Sequence, residues 1–267
     1  MSSNEFNSSP TTVPPGMSEP AASPFAETTA THQDASSLRV WALVLAAGLL
    51  AGLTSWLVGE AFHNRLQSQL LSTGGMPTAE QARESASGIR RAVTLQTTLA
   101  FGSLGAALGL ALGLTGGTIR RSARSSMIGA IFGTSLGGIA GALVPLVLLP
   151  VYFQFYDPDS DDLVLALLFQ GAIGAIIGAV GGAAYALGNR SHIVQALLGG
   201  LLGAVAGVLI YEVVGTLVFP LDQTTKPVSA TAVSRLLGRL SIAALASAGA
   251  AKGIKTTPKA NSRPATT

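Results

Sequence analysis

Long apolar runs separated by short polar segments dominate the chain from residue 40 onward. A helix needs about 20 apolar residues to cross a bilayer, so these runs override the one or two soluble domains that the length would otherwise allow. The sequence therefore predicts an all-α integral membrane protein with about six transmembrane helices. The predicted spans are 40–58, 93–114, 127–151, 163–187, 193–217 and 236–251.

The sixth predicted span, 236–251, is the weakest, because it is short and contains Arg239. We expect the Arg239 side chain either to snorkel to the interface or to pair with Glu212 of the preceding span. An amphipathic helix lying on the membrane surface is the alternative. The transmembrane interpretation is favoured, since it places the basic C-terminal tail on the same side as the arginine-containing loops.

Glycine recurs about every fourth residue in the four central spans, in a pattern that predicts two consecutive helical hairpins. The outgoing arms match at an offset of 69 residues, as in Gly102 and Gly171, and the returning arms at 66, as in Gly133 and Gly199. The sequence thus predicts a central tandem repeat of two glycine-ladder hairpins. The predicted helix-packing residues are Gly102, Gly105, Gly109, Gly113, Gly133, Gly137 and Gly141 in the first hairpin, and Gly171, Gly174, Gly178, Gly182, Gly199, Gly203 and Gly207 in the second.

A glycine ladder favours helix only in a special setting. In water each glycine in a helix interior costs about 1 kcal/mol relative to alanine. In lipid a non-helical backbone is less favourable still, because its exposed amide groups find no hydrogen-bond partner. Small residues four apart then form a groove that a neighbouring backbone can enter. The ladders resemble those of glycine-zipper membrane proteins, a packing motif shared by unrelated functions. The alternative is that glycine and alanine simply fill apolar spans.

The polar segments define the remaining organisation. Residues 1–38 are rich in Ser, Thr and Pro and are predicted to be a disordered tail, since they bury too little apolar surface to offset the ordering entropy. Residues 39–253 form the predicted transmembrane bundle, in which residues 59–92 are a polar loop outside the bilayer. Residues 254–267 are predicted to be a basic flexible tail.

The distribution of charged residues predicts the orientation of the protein in the membrane. Only 11% of the residues are charged, against roughly 25% in soluble domains. The loop between the second and third spans holds Arg120, Arg121 and Arg124, whereas the loop between the third and fourth holds no basic residue. The positive-inside rule therefore places both termini in the cytoplasm, and the plasma (cytoplasmic) membrane is the expected location. The net charge of +3 reflects this topology, so no nucleic-acid partner is expected.

Two motifs suggest chemistry but fit it poorly. Gly133–Gly137 matches G-x-S-x-G around Ser135, yet the motif requires a strand-turn-helix and here lies in an apolar helix. An intramembrane serine hydrolase would also need a histidine, and the nearest, His192, is about 12 Å shallower by helical rise. We therefore expect Ser135 to serve helix packing.

A second motif, the acidic run from Asp157 to Asp162, resembles the opening of a calcium-binding EF-hand loop. Glycine is required at the sixth position and glutamate at the twelfth, but the chain has Asp162 and Leu168 there. The chain also has no cysteine, which excludes thiol catalysis and cysteine-based metal sites. No catalytic, cofactor-binding or metal-binding residue is predicted, and no cofactor is expected.

Three functions are compatible with this pattern. The first is a non-catalytic structural or assembly protein that packs through its glycine faces, with the lipid bilayer and a homo-oligomer through those faces as its partners. The alternative is a channel or transporter for a small solute, since parallel repeats occur in some transporters. An intramembrane hydrolase is weaker still. The near absence of buried charge counts against ion-coupled transport and acid–base chemistry.

Overall fold

The computed structural model describes the backbone of residues 25–70, 79–155, 163–218, 229 and 231–252, with the side chains of 25–37, 64–70, 79–86 and 163 left out. Six α-helices account for nearly all of these residues, and no strand occurs among them. The helices are α1 (Phe25–Leu70), α2 (Ala79–Ile119), α3 (Ala123–Phe155), α4 (Leu163–Asn189), α5 (Ile193–Val218) and α6 (Ala232–Lys252). The all-helical prediction is confirmed for this part of the chain.

Five helical segments are long and apolar enough to cross a membrane. They are Leu38–His63, Ser87–Ile119, Ala123–Phe155, Val164–Asn189 and Ile193–Val218. Each contains or nearly coincides with one of the first five predicted spans, which agrees with an integral membrane protein. The sixth predicted span, 236–251, lies inside α6, and α6 is not among these five segments.

Helices replace much of the predicted polar loop 59–92. Helix α1 continues to Leu70 and α2 begins at Ala79, because the strongest helix breakers of the region, Gly74, Gly75 and Pro77, all fall within residues 71–78, outside the described residues. At its other end α1 begins at Phe25, within the stretch predicted to be a tail.

The described residues from Arg39 onward form one compact unit. Within it α2 pairs with α3 and α4 with α5, while α4 also packs against α2 and α3, and α6 packs against α5 and α4. Large side chains from several helices are fully buried between them, including Leu104, Leu108, Ile173, Tyr185 and Val208. The outward faces of the helices expose many large apolar side chains, as expected where lipid replaces water.

The two described hairpin turns share one conformation. Arg121 has φ 56° and Arg190 has φ 51°, the left-handed region. The residue after each, Ser122 or Ser191, donates its backbone N–H to the carbonyl oxygen five residues earlier, at 3.1 Å in both turns. This is the hydrogen bond of a Schellman C-cap. Corresponding residues of the two turns are 69 positions apart, the offset that also relates the outgoing glycines.

Candidate functional site: glycine interfaces and a polar cavity

The glycines of α2 and α3 bring the two backbones into direct contact. A Cβ atom placed on Gly105 would collide with the carbonyl group of Gly137, and one placed on Gly137 would collide with that of Gly105. Such an approach lets two helices gain dispersion contacts and weak Cα–H···O hydrogen bonds along their length. Equivalent collisions would occur at Gly109 against Gly133, Gly113 against Gly129 and Gly141 against Phe101, whereas Gly102 has more room, with the Ala142 Cβ at 3.3 Å.

The second hairpin packs in a different register from the one that the glycine pattern suggests. Gly178 meets Gly200, and Gly182 meets the carbonyl group of Ala196. The face of α5 that meets α4 therefore follows the first-hairpin residues at an offset of 67, as in Gly133 and Gly200, rather than 66. One residue corresponds to a rotation of about 100° around the helix axis. A Cβ on Gly171 would meet nothing within 4 Å, so this glycine makes no close approach.

The predicted ladder of α5 instead faces α6. A Cβ on Gly199 would collide with the Gly249 carbonyl, and one on Gly203 with the Leu245 carbonyl. A Cβ on Gly207 would lie 2.7 Å from the Ser241 carbonyl oxygen and 2.7 Å from the Ile242 Cα, both also in α6. Residue numbers rise along α5 as they fall along α6, so the two helices are antiparallel. Helix α5 thus carries two small-residue faces, one for α4 and one for α6.

Helix α6 is enclosed by its neighbours. On the side of α1, a Cβ on Gly48 would meet the Ala243 carbonyl at 2.8 Å, and one on Gly52 would meet the Leu240 Cα at 3.2 Å. The exposed side chains of α6, all of whose residues are described, are Val233, Leu237 and Lys252. A helix enclosed by other helices needs small residues more than apolar bulk, which explains why α6 is less apolar than the five candidate spans.

An ion pair joins α1 to the N-terminal part of α6. Arg235 Nε donates to Glu60 Oε1 at 2.6 Å, and Nη2 donates to Oε2 at 2.9 Å, a bidentate pair with both side chains largely buried. Arg235 Nη1 donates to the Ser229 carbonyl at 2.7 Å. The Ser229 hydroxyl in turn hydrogen-bonds the Tyr211 hydroxyl of α5 at 2.6 Å. The hydropathy pattern assigns Glu60 to the polar loop 59–92 and gives no sign of this pair, because no local signal connects residues 175 positions apart.

The second arginine of α6 also reaches α1. Arg239 Nη1 donates to the Ser55 carbonyl, with the Ser55 hydroxyl at 3.5 Å. The Ser55 hydroxyl further contacts the Ser103 hydroxyl of α2 at 3.2 Å. The Arg239 guanidinium occupies the space where a side chain at position 59 would be, and Gly59 therefore provides its room. The predicted alternative of an Arg239–Glu212 pair is replaced by these bonds to Ser55.

A cavity of about 60 Å³ lies beside the two arginines. Its volume suffices for a few water molecules, since each needs about 10–15 Å³ by this measure. Helices α2, α4, α5 and α6 all contribute to its wall, and none of the described lining residues is acidic. The polar lining residues are Gln96, Thr97, Gln170, Tyr211, Ser229, Arg235 and Arg239.

The residues of the two weak motifs are not assembled into a site. Ser135 is exposed on the outer face of α3, in a shallow groove with Ile131 and Ile139. His192 is exposed in the α4–α5 turn, near the level of Ser125, whose hydroxyl donates to the Gly188 carbonyl. Ten residues separate Ser125 from Ser135, about 15 Å along the helix.

The acidic residues Asp157, Asp159, Asp161 and Asp162 lie outside the described residues. Within the described ranges, no three His, Asp or Glu side chains form a group able to hold a metal ion. The polar cavity is thus the strongest candidate for a binding site in this part of the chain.

Comparisons with protein-family models, with curated proteins and with solved structures found no match. Function is therefore inferred from the chain's own residues and their geometry.

Proposed function

We propose that the protein is a non-catalytic multi-pass membrane protein with a structural or assembly role, built as a six-helix bundle around glycine-mediated contacts. The observation that carries this proposal is the direct approach of backbones at glycines in three helix pairs, α2–α3, α4–α5 and α5–α6. Backbones in direct contact suit a protein whose role is structural. Among the described residues, neither Ser135 nor any group of His, Asp and Glu side chains forms a catalytic or metal site.

The sixth span of this bundle is α6. It runs antiparallel to α5 from the level of Gly199 to that of Tyr211, a length of about 18 Å at 1.5 Å per residue. Because α5 is long and apolar enough to cross the membrane, a helix that accompanies it over this distance enters the same layer. The 21 residues of α6 match the length of about 20 that a crossing helix needs. A helix on the membrane surface would leave one face to water, whereas α6 is covered on nearly all sides.

Six spans place both termini and the two described hairpin turns on one side of the membrane. Those turns carry Arg120, Arg121 and Arg190, and Arg124 follows in the first turn of α3. The positive-inside rule therefore assigns this side to the cytoplasm. We propose the plasma membrane as the location. The cavity beside Arg235 and Arg239 then lies toward the outer side.

The tandem repeat is part of the same proposal. The two hairpin turns with their left-handed arginines support it, as do the equivalent contacts of Gly109 with Gly133 and of Gly178 with Gly200. The two hairpins differ at α5, whose second glycine face is used by α6. Since most of the glycine faces are occupied by helices of the same chain, they support packing within one molecule rather than a homo-oligomer.

A second candidate function, the transport of a small solute, is favoured by one observation. The cavity is lined by two arginines that sit within or near the membrane layer, and ionisable groups in such positions often mark a solute pathway. No comparable feature supports an intramembrane hydrolase, since Ser135 faces outward among apolar side chains.

Flux measurements on vesicles reconstituted with the purified protein separate the two functions. For a structural protein we expect the release of entrapped chloride, glycerol and protons to match that of protein-free vesicles. Reproducible flux of any of these solutes, lost when Arg239 is replaced by glutamine, would contradict the structural proposal and support transport. Vesicles containing the Arg124→Gln variant, which loses an exposed arginine in the first turn of α3, serve as the matched control.

A further inference from the structure

The guanidinium group of Arg239 has fewer partners than its chemistry requires. A guanidinium carries five N–H donors, and the hydrogen bonds that Arg239 makes within the described residues use Nη1 alone. Both acceptors belong to Ser55 and are uncharged. The carboxylate nearest in the network, Glu60, is engaged by Arg235 through both of its oxygens. A charge enclosed in this way is costly unless it is paired.

The local charge balance is positive. The two arginines contribute +2 and Glu60 contributes −1, which leaves +1 among these three side chains. Glu212 follows Tyr211 on α5, but it does not line the cavity. A single negative charge placed in the cavity would therefore neutralise the site.

The cavity has the size and lining for such a charge. Its volume of about 60 Å³ accommodates a monatomic ion with one or two waters. Hydroxyl groups of Tyr211 and Ser229 and the amide of Gln170 lie in its wall beside the arginines. The Arg239 guanidinium can donate charge-assisted hydrogen bonds to an anion there, whereas Tyr211 and Ser229 share one hydrogen bond and can offer at most one hydroxyl proton between them. The described lining contains no carboxylate that would attract a cation instead.

We propose that this cavity is a binding site for a small monovalent inorganic anion of halide size, held chiefly by Arg239. The bound anion supplies the charge that Arg239 lacks and connects α2, α4, α5 and α6 at one end of the bundle. The site is independent of the proposed function, because binding an anion requires no transport. Anything that binds only the folded state stabilises that state, so the anion should raise the melting temperature.

Thermal melting of the full-length protein in detergent tests the site. Chloride and bromide are titrated against sodium gluconate at constant ionic strength, which keeps charge screening equal. We expect the melting temperature to rise with halide concentration and to saturate, and to stay unchanged in gluconate. In the Arg239→Gln variant the halide concentration at half-saturation should increase at least tenfold. The Arg124→Gln variant should respond like the unmodified protein.

Equal melting in halide and gluconate would overturn the proposal, as would an unchanged titration of Arg239→Gln. If that variant cannot be purified, bromide-soaked crystals of the unmodified protein test whether the cavity binds an anion. Anomalous scattering is then expected between Arg239 and Tyr211. Bromide found only at the protein surface would mean that the cavity is not an anion site.

Discussion

At the scale of single residues, charge within the bundle depends on a missing side chain. Gly59 leaves the space in which the Arg239 guanidinium reaches the Ser55 carbonyl, and the adjacent Glu60 binds Arg235. Two successive residues of α1 thus accommodate the two arginines of α6: Gly59 leaves room for Arg239, and Glu60 supplies the counter-charge of Arg235. The Glu60–Arg235 ion pair and the Ser55 acceptors of Arg239 together allow α6 to be enclosed although it carries two arginines.

Removal of the Glu60 charge is predicted to destabilise the protein markedly. In Glu60→Gln the amide keeps the size of the side chain but leaves Arg235 without its counter-charge, at a cost of about 3 kcal/mol for a largely buried pair. The melting temperature in detergent measures the effect. Arg124→Gln, which removes an exposed arginine, should melt like the unmodified protein. Equal melting of Glu60→Gln and Arg124→Gln would mean that the ion pair contributes no stability.

At the scale of helices, several glycines bring the backbones of neighbouring helices into direct contact. Where Gly105 faces Gly137 and Gly203 faces Leu245, a side chain would have to displace a carbonyl group of the neighbouring helix. Backbone carbonyls of a helix cannot rotate away as a flexible side chain does, since each accepts an intrahelical hydrogen bond. These interfaces therefore tolerate little change.

Leucine at a close-contact glycine is predicted to loosen the bundle, whereas leucine at Gly171 is not. Gly137→Leu and Gly203→Leu overpack their interfaces, which costs about 1–3 kcal/mol or more, although leucine still favours membrane insertion. Gly171→Leu is the matched control, because a Cβ atom there meets nothing within 4 Å. Detergent melting compares the three variants. If all three melt alike, the helices do not depend on the glycine contacts.

Hydropathy and spacing predict which segments form helices better than they predict which helices pack against each other. The first five spans follow directly from the apolar runs, because the bilayer fixes the length that a helix must have. The register of α5 could not be predicted, since both Gly199 and Gly200 begin a small-residue series and only the position of α6 decides between them. The cavity also escaped prediction, because its walls come from four helices that are far apart in sequence.

At the scale of the whole molecule, the central claim is that α6 is the enclosed sixth span of the bundle. Five apolar spans alone would put the C-terminal end of α5 and everything after it on the outer side. With α6 crossing between α1 and α5, the C-terminal tail returns to the side of the arginine-containing turns. The packing of Gly199 on Gly249 and of Gly48 on Ala243 and Ser247 supports the second arrangement.

Labelling of single cysteines in intact cells tests this claim most directly, because the native chain has no cysteine. An impermeant maleimide should label Ser160→Cys, in the connection between α3 and α4. It should spare Ser122→Cys, in the α2–α3 turn, and Ser262→Cys, in the C-terminal tail, until the cells are lysed. Labelling of Ser262→Cys in intact cells, with Ser122→Cys still protected, would contradict the account, because α6 would then not cross the membrane.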